Sequence, residues 1–256
     1  MSESLPVLPK IVAHRGNAAE FPENTLPALR SALELGITHV EFDVQLTSDH
    51  IPVVLHDANL QRTAGLDRNA LDMTWRELRG IKVNEAARLG DRYHDVGVPT
   101  LERTVELLAA FPEATAFVEI KRASLRAFGH EQVVTGIAEV LRPVAAQCVM
   151  ISFDLAAVHL ARQVAGLPIG WVLPEVSSLS SLKSEAVAPE YLFCDQELLR
   201  SSEGRLAKGP WRWVVYEVPT AKLALELAAR GVEFVETMAV RSLQREFREL
   251  TQGTSD

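Results

Sequence analysis

The segment EFDVQLTSDHIPVVLHD (residues 41–57) carries carboxylates inside an otherwise apolar run. Successive side chains of an extended strand point to opposite faces, so Glu41 and Asp43 share one face, about 6 to 7 Å apart. Glu119 and Lys121 share a face in the same way within VEIK, a second strand-like run. Charged side chains are costly to bury unless they are paired, hydrogen-bonded or bound to a metal. The pattern of charged residues therefore indicates a functional site.

The three acidic side chains of these runs have the oxygen donors that a hard divalent cation prefers. Glu41, Asp43 and Glu119 are therefore predicted to hold one divalent cation, Mg²⁺ or Ca²⁺, with water and substrate oxygens completing its shell. His14, in IVAHRG, and His56, in VVLHD, are predicted to carry protons, because the unperturbed pKa of histidine lies near neutrality.

Two cationic side chains accompany this set. Arg15 and Lys121 supply positive charge without ligating a metal. A divalent cation, two positive side chains and two histidines suit an anionic oxygen centre, and phosphate fits best. Taken singly, each residue also has a structural explanation, since a carboxylate could form an ion pair and a histidine could be satisfied in a turn. The other histidines, His39 among them, are interpreted as surface or structural residues.

Several polar residues close to this set receive purely structural interpretations. Asp49 and Asp57 are typical of turns and are left outside the metal shell. Asn24 and Thr25, in FPENTLPAL, are interpreted as N-cap residues of a helix with Pro27 in its first turn.

Strand-like runs alternate with segments of helical period through most of the chain. Eight strands are predicted, at residues 10–14, 37–44, 115–120, 147–152, 168–173, 190–194, 212–217 and 232–236. Eight strands and eight helices in about 250 residues are typical of a TIM (β/α)8 barrel, the predicted α/β fold class. An open doubly wound sheet satisfies the same alternation. In a barrel, the polar strand ends meet at the C-terminal rim, where active sites lie.

One region, at residues 57–98, interrupts the alternation. It follows a hairpin-like IPVVLHD and is far longer than the few residues usual in a βα loop. Long loops at strand C-termini of a barrel commonly surround the active site. We therefore predict one barrel domain over residues 1–256, with a small insertion subdomain after the second strand, at about residues 57–98.

Composition and charge argue against several classes of protein. The chain has 256 residues, 47% of them hydrophobic, and a formal net charge of −8, so it lacks the basic footprint of nucleic-acid binding. No run approaches the roughly 18 to 20 apolar residues of a membrane span. The N-terminal segment lacks the pattern of a secretory signal, so a cytoplasmic protein is predicted. Cys148 and Cys194 lie in apolar runs and are predicted to be buried thiols.

Seven ordered motifs resemble those of the glycerophosphodiester phosphodiesterase family, in particular its cytoplasmic bacterial type. The motifs are HRG (14–16), PENT (22–25), EFDVQLTSD (41–49), PVVLHD (52–57), LQRTAG (60–65), PTLE (99–102) and VEIK (118–121). The match is dense over residues 10–122 and thin beyond them. Seven motifs in order make the resemblance far more specific than any single pattern.

The resemblance implies a TIM barrel with a small insertion after the second strand. It also implies metal-dependent hydrolysis of glycerophosphodiesters, which are small-molecule substrates, to sn-glycerol 3-phosphate and an alcohol. By this resemblance, the family's metal-binding carboxylates correspond to Glu41, Asp43 and Glu119, and its acid-base histidines correspond to His14 and His56. Its phosphate-binding arginine corresponds to Arg15, and its cationic lysine corresponds to Lys121. Which histidine is the acid, which cation binds, and whether water or the glycerol 2-hydroxyl attacks phosphorus stay open.

The second half of the chain departs from the family pattern. Where the family often has Trp-Thr-Val-Asn on the seventh strand, residues 216–219 are YEVP. Where the eighth strand usually ends in Thr-Asp, residues 236–238 are ETM. Glu217 and Glu236 are expected either to alter substrate preference or to pair with the arginine or lysine of the site.

Two other functions stay open. A lysophospholipase D or sphingomyelinase D-like activity on the same barrel needs an apolar groove for an acyl chain. A catalytically silent phosphodiester-binding module is expected to have lost a histidine or a carboxylate of the site, and here all five are present. The oligomeric state and the preferred alcohol are not determined by these patterns.

Overall fold

The computed structural model describes residues 7–201 and 206–252, and within them eight parallel strands close into a barrel. A ninth strand, β3, pairs antiparallel with β2 outside the barrel. The strands are β1 (Lys10–Ala13), β2 (His39–Leu46), β3 (Pro52–Val54), β4 (Thr115–Ile120), β5 (Cys148–Ser152), β6 (Ile169–Val172), β7 (Tyr191–Asp195), β8 (Arg212–Tyr216) and β9 (Phe234–Thr237). Because β1 pairs with both β2 and β9, the predicted barrel is confirmed and the open sheet is wrong.

Helices surround the barrel and follow most of its strands. They are α1 (Leu26–Glu34), α2 (Gln61–Ala64), α3 (Trp75–Leu78), α4 (Ala86–Leu89), α5 (Leu101–Ala109), α6 (Arg122–Phe128), α7 (His130–Leu141), α8 (Leu155–Ala165), α9 (Ser178–Val187), α10 (Gln196–Ser201), α11 (Ala221–Ala229) and α12 (Val240–Gln252). Short 3₁₀ turns lie at Ala70–Asp72, Gly90–Tyr93 and Arg142–Gln147. None of the helices described is long and apolar enough to cross a membrane.

The two faces of β2 have different surroundings, as strand alternation requires. Val40, Phe42 and Val44 are fully buried in the layer between the barrel and its helices. The opposite face points into the barrel, whose interior is filled by a second set of apolar side chains: Val12, Phe117, Val149, Ile151, Val172, Phe193, Val214 and Phe234. The predicted alternation is thus confirmed, and it aims the carboxylates of β2 into the barrel mouth.

The chain between β2 and α5 forms a compact unit with its own apolar cluster. Its buried side chains are Val53, Leu55, Leu60, Ala70, Met73, Leu78, Val83 and Val98. The unit contacts the loop after β1: Tyr93 Oη donates to the carbonyl of Glu20 at 2.8 Å, and Glu85 accepts from the backbone N–H of Glu23 at 2.7 Å. The region that interrupts the βα alternation therefore packs beside the rim where β1 and β2 end.

Both cysteines are free thiols in buried strands, as predicted. Burial raises the pKa of Cys148 to about 12. Burial, with the nearby Asp195 carboxylate, raises the pKa of Cys194 to about 12 as well. A thiol with so high a pKa is inert at neutral pH, so neither group takes part in the chemistry of the rim.

Candidate active site at the barrel rim

Six of the seven residues predicted from the sequence line one cavity of about 110 Å³ at the C-terminal rim. They are His14, Arg15, Glu41, His56, Glu119 and Lys121. The seventh, Asp43, is paired in register with Glu119 on the neighbouring strand and lies within 3.0 Å of the Lys121 ammonium. The structure therefore brings together all seven residues.

The three carboxylates form a tight group of buried oxygen donors. Ligand atoms of Glu41, Asp43 and Glu119 lie within 4.8 Å of one another. Glu41 Oε1 is buried and accepts no hydrogen bond from any described residue. A buried carboxylate oxygen without a partner costs free energy, and a divalent cation is the partner that such a group of oxygens suits. The residues present therefore fit the cation that the sequence predicts.

The surroundings of these carboxylates shift their pKa values in opposite directions. Burial and the nearby charges of Asp43 and Glu236 raise the pKa of Glu41 well above its usual range. Burial and Asp43 likewise raise the pKa of Glu119. Burial acts in the same direction at Asp43, but Lys121 and Arg15 outweigh it and hold the pKa of Asp43 below its usual range. Asp43 is thus the permanent anion of the group.

Arg15 and Lys121 hold the carboxylates in place through direct ion pairs. Arg15 Nε lies 3.3 Å from Asp43 Oδ2, and the Arg15 backbone N–H donates to Glu41 Oε2 at 3.1 Å. Lys121 Nζ lies 3.0 Å from Asp43 Oδ1 and 2.9 Å from Glu119 Oε1. Both cations also line the cavity, so each can meet a bound anion while remaining anchored.

Asn24 has a role that its interpretation as an N-cap residue missed. Thr25 caps α1, with its Oγ1 accepting from the Ala28 N–H at 3.4 Å. Asn24 Nδ2 instead donates to Asp43 Oδ2 at 2.7 Å, and Asn24 Oδ1 accepts from the Asp43 N–H at 3.0 Å. The left-handed backbone of Asn24, with φ of 57°, turns the side chain toward β2. Its place in the PENT motif is the sequence signal that could have revealed this role.

His14 is held by a carboxylate that is distant in sequence and lies two strands away around the barrel. Its Nδ1 is hydrogen-bonded to Glu217, which follows β8, and its Nε2 lies 3.8 Å from Glu41 Oε2. The expected alternative, in which Glu217 pairs with the site's arginine or lysine, is therefore wrong. Burial opposes charge on the ring, but Glu236 and Glu217 outweigh it and raise the pKa of His14.

Glu236 is an additional buried carboxylate at this rim. It is 2% exposed, and its Oε1 has no hydrogen-bond partner within the described ranges. Ligand atoms of Glu236, His14 and Glu41 lie within 4.8 Å of one another. Burial raises the pKa of Glu236 to about 8, with Glu217 and Glu119 adding to the effect and His14 opposing it. Glu236 is therefore a carboxyl group that takes up a proton readily and has no arginine or lysine partner among the described residues.

His56 is oriented by the residue that follows it. Its Nδ1 lies 2.7 Å from Asp57 Oδ1, and Asp57 Oδ2 accepts from Arg62 Nε at 2.6 Å. The interpretation of Asp57 as only a turn residue therefore missed this contact, whereas Asp49 does lie in a turn, accepting from Thr47 Oγ1 at 2.6 Å. Burial, with Lys121 and Arg15, lowers the pKa of His56 despite Asp43 and Asp57. The two histidines thus differ in their affinity for a proton, as an acid-base pair requires.

The fold and the site together define a TIM-barrel protein with an acidic, histidine-flanked pocket at the C-terminal rim. Residues 14–235 match the family model described as the glycerophosphoryl diester phosphodiesterase family. The chain belongs to this family, as its motifs predict.

Two kinds of relative accompany this match. A solved phosphodiesterase from Oleispira antarctica, in complex with the product sn-glycerol-3-phosphate, is 26% identical with a TM-score of 0.82, over 94% of this chain and 97% of that chain. Glycerophosphodiester phosphodiesterase 1 of Mus musculus is 42% identical over 96 residues, which are 37% of this chain and 28% of the mouse protein. A lysophospholipase D of Mus musculus is 33% identical over 120 residues, 44% of this chain and 37% of that protein. The chain spans well under half of the length of these curated relatives.

Proposed function

We propose that the protein hydrolyses glycerophosphodiesters to sn-glycerol 3-phosphate and an alcohol, with one divalent cation held by Glu41, Asp43 and Glu119. The observation that carries the proposal is the cavity lined by Glu41, Glu119, both histidines, Arg15 and Lys121, with Asp43 beside them. The relative from Oleispira antarctica, whose structure contains sn-glycerol-3-phosphate, supports the substrate class.

The chain's own residues supply positioning and proton transfer. Arg15 and Lys121 offset the negative charge that develops on the phosphoryl oxygens. One of His14 and His56 takes a proton from the nucleophile, and the other gives a proton to the leaving alkoxide. Glu217 and Asp57 fix the two rings, each through Nδ1, so that each Nε2 is left for the reaction. When bound, the cation, Mg²⁺ or Ca²⁺, polarises a phosphoryl oxygen as a Lewis acid.

The proposal is tested by turnover of glycerophosphocholine, glycerophosphoethanolamine and glycerophosphoinositol with added Mg²⁺, with added Ca²⁺ and after exhaustive chelation. We expect cation-dependent release of sn-glycerol 3-phosphate. His14→Ala and His56→Ala should each lower kcat by on the order of 10² to 10⁴. His94→Ala, which removes an exposed histidine from the insertion, is the matched control and should retain activity. Full activity in either rim variant, or turnover that survives chelation, would contradict the proposal.

A lysophospholipase D activity is the second candidate, favoured by the likeness to the mouse lysophospholipase D. It needs an apolar surface for an acyl chain beside the site. The larger groove at the rim offers few apolar side chains, with only Phe153, Ala58 and Ala123 among its lining residues. We therefore expect a lysolipid to be turned over far more slowly than glycerophosphodiesters in the same assay.

A further inference from the structure

A large groove continues outward from the catalytic cavity. The cavity of about 110 Å³ and this outer groove of about 650 Å³ share His56, Glu119, Lys121 and Phe153 in their walls. The outer groove lies between the segment 56–62 and the beginning of α6. A phosphodiester has two groups esterified to its phosphate, which we call its arms. The cavity has room for little more than one small arm. The outer groove is therefore the space available to the other.

The charged side chains of the outer groove include more cations than anions, since Arg62, Lys121, Arg122 and Arg126 line it together with two carboxylates. Both of its carboxylates are already paired, Asp57 with Arg62 at 2.6 Å and Glu119 with Lys121 at 2.9 Å. Arg122 and Arg126 also line the groove, and neither forms an ion pair with a described residue. Their charge is thus uncompensated at the wall of the groove.

The two arginines are placed to act together. They lie four residues apart in α6, so they share one face of the helix, and Arg122 follows directly after Lys121. The Arg122 guanidinium lies over the ring of Phe153, 5.1 Å from its centre, and this contact restrains it beside the cavity. A row of positive charge therefore runs from the cavity along the outer groove.

We propose that the outer groove binds the alcohol arm of the substrate and selects alcohols that carry an additional negative charge, a carboxylate or a phosphate. Arg122 and Arg126 are the specificity-determining residues, because guanidinium groups form paired, charge-assisted hydrogen bonds with both kinds of oxyanion. Arg122 lies over one face of the Phe153 ring, so that face is not available to a quaternary ammonium group. This inference rests on the proposed phosphodiesterase activity.

Two pairs of substrates isolate the additional charge. Glycerophosphoserine and glycerophosphoethanolamine differ by one carboxylate, and glycerophosphoinositol 4-phosphate and glycerophosphoinositol differ by one phosphate. We expect kcat/KM to be roughly tenfold higher for the member with the additional negative charge in at least one pair. This is the gain that one charge-assisted hydrogen bond allows. Because these arginines are exposed, the preference should shrink as salt is raised.

The double variant Arg122→Gln/Arg126→Gln should bring these ratios close to one. Arg30→Gln/Arg245→Gln removes the same charge from exposed positions on α1 and α12 and should leave the ratios as they are in the unmodified protein. A preference for only one anion identifies that anion as the one the groove selects.

Ratios near one in the unmodified protein, or ratios that persist in the double groove variant, would overturn the inference. Failure to hydrolyse any of the four compounds would instead reject the proposed function. The inference would then be decided by calorimetric binding of glycerophosphoinositol 4-phosphate against glycerophosphoinositol to the same three proteins.

Discussion

His39 shows how one buried side chain can couple folding to pH. It is 8% exposed inside the barrel, and its ring lies 5.0 Å from that of Phe234 and 6.2 Å from that of Phe117. Burial, together with the positive charges of Lys10 and Arg212, lowers the pKa of His39 to about 4. The folded protein therefore keeps this imidazole neutral at pH values where an unfolded chain would protonate it.

This shift predicts a loss of stability in mild acid. Between pH 6.5 and pH 4 the unfolded state takes up a proton that the folded state does not, so the free energy of unfolding falls as the pH falls. The contribution of His39 should be smaller at pH 5.0 than at pH 7.5 by roughly 1 to 2 kcal/mol. Urea denaturation of the unmodified protein and of His39→Gln at both pH values, with chelator present, isolates the effect. Identical pH dependence in the two proteins would contradict it.

Strand alternation and resemblance identified all seven rim residues, because Glu41 and Asp43 lie on the inward face of β2 and the other five lie at or near a strand end. The partners that orient them were missed. Asn24, Asp57 and Glu217 each contact a rim residue through a geometry that only the folded chain supplies: a left-handed turn, an adjacent ring, and a strand that lies two places away in the closed barrel. Local patterns encode strand faces but not which distant side chain completes a hydrogen bond.

The loop that follows β1 depends on a close contact between backbones. Gly16 has φ of +80°, and a Cβ atom there would lie 2.5 Å from the backbone carbon of Ala28 in α1. The Asn17 N–H donates to the carbonyl of Ala28 at 2.9 Å, which fixes the loop against the helix. The glycine of HRG is thus needed to seat the segment that carries His14 and Arg15.

Gly16→Ala is therefore expected to destabilise the protein by roughly 2 to 4 kcal/mol, from backbone strain and steric overlap combined. Gly36→Ala is the matched control, because Gly36 has φ of +82° but open space where its Cβ would lie. It should cost only about 1 to 2 kcal/mol, from strain alone. Denaturant titrations of the three proteins measure the difference. Equal losses in both variants would show that the contact with α1 contributes nothing.

Elements differ in how far periodicity can predict them. Each barrel strand begins and ends within three residues of its prediction, because buried parallel strands are continuous apolar runs. The four-residue helices of the insertion were not predicted, since one helical turn is too short to show a period. Closure of the predicted barrel could not be established from the alternation of strands and helices alone, because open sheets share that alternation.

At the scale of the molecule, negative charge is concentrated at the rim. Glu41, Glu119 and Glu236 line the cavity and Asp43 and Glu217 contact its walls, whereas Arg15 and Lys121 are the only permanent cations among the described residues of that lining. Mutual repulsion and three buried oxygens without hydrogen bonds, on Glu41, Asp43 and Glu236, make this arrangement costly in isolation. A bound divalent cation should relieve the cost and so stabilise the whole fold, since only the folded chain brings these oxygens together.

We expect Mg²⁺ or Ca²⁺ at a hundred times its Kd to raise the free energy of unfolding by about 2.7 kcal/mol. For a chain of this size that corresponds to a rise in Tm of roughly 5 to 10 °C. Asp43→Asn should abolish most of the shift. Asp49→Asn, a change in a turn of the same segment, should preserve it. Calorimetric scans with cation and with chelator provide the measurement, and a full shift in Asp43→Asn would disprove the assignment of that carboxylate.

The pairing of β1 with β9 also has a consequence for biosynthesis. Residues Lys10–Ala13 have no partner on one side until Phe234–Thr237 have been translated. At the usual rates of synthesis, roughly 5 to 20 s separate the emergence of Lys121 from that of the closing strand. For much of that interval the nascent chain has all seven predicted rim residues but lacks Glu217, and it exposes an unpaired strand edge and the apolar lining of an incomplete barrel. The incomplete chain is therefore exposed to aggregation on the ribosome through this strand edge and apolar lining, rather than to loss of a contact at the rim.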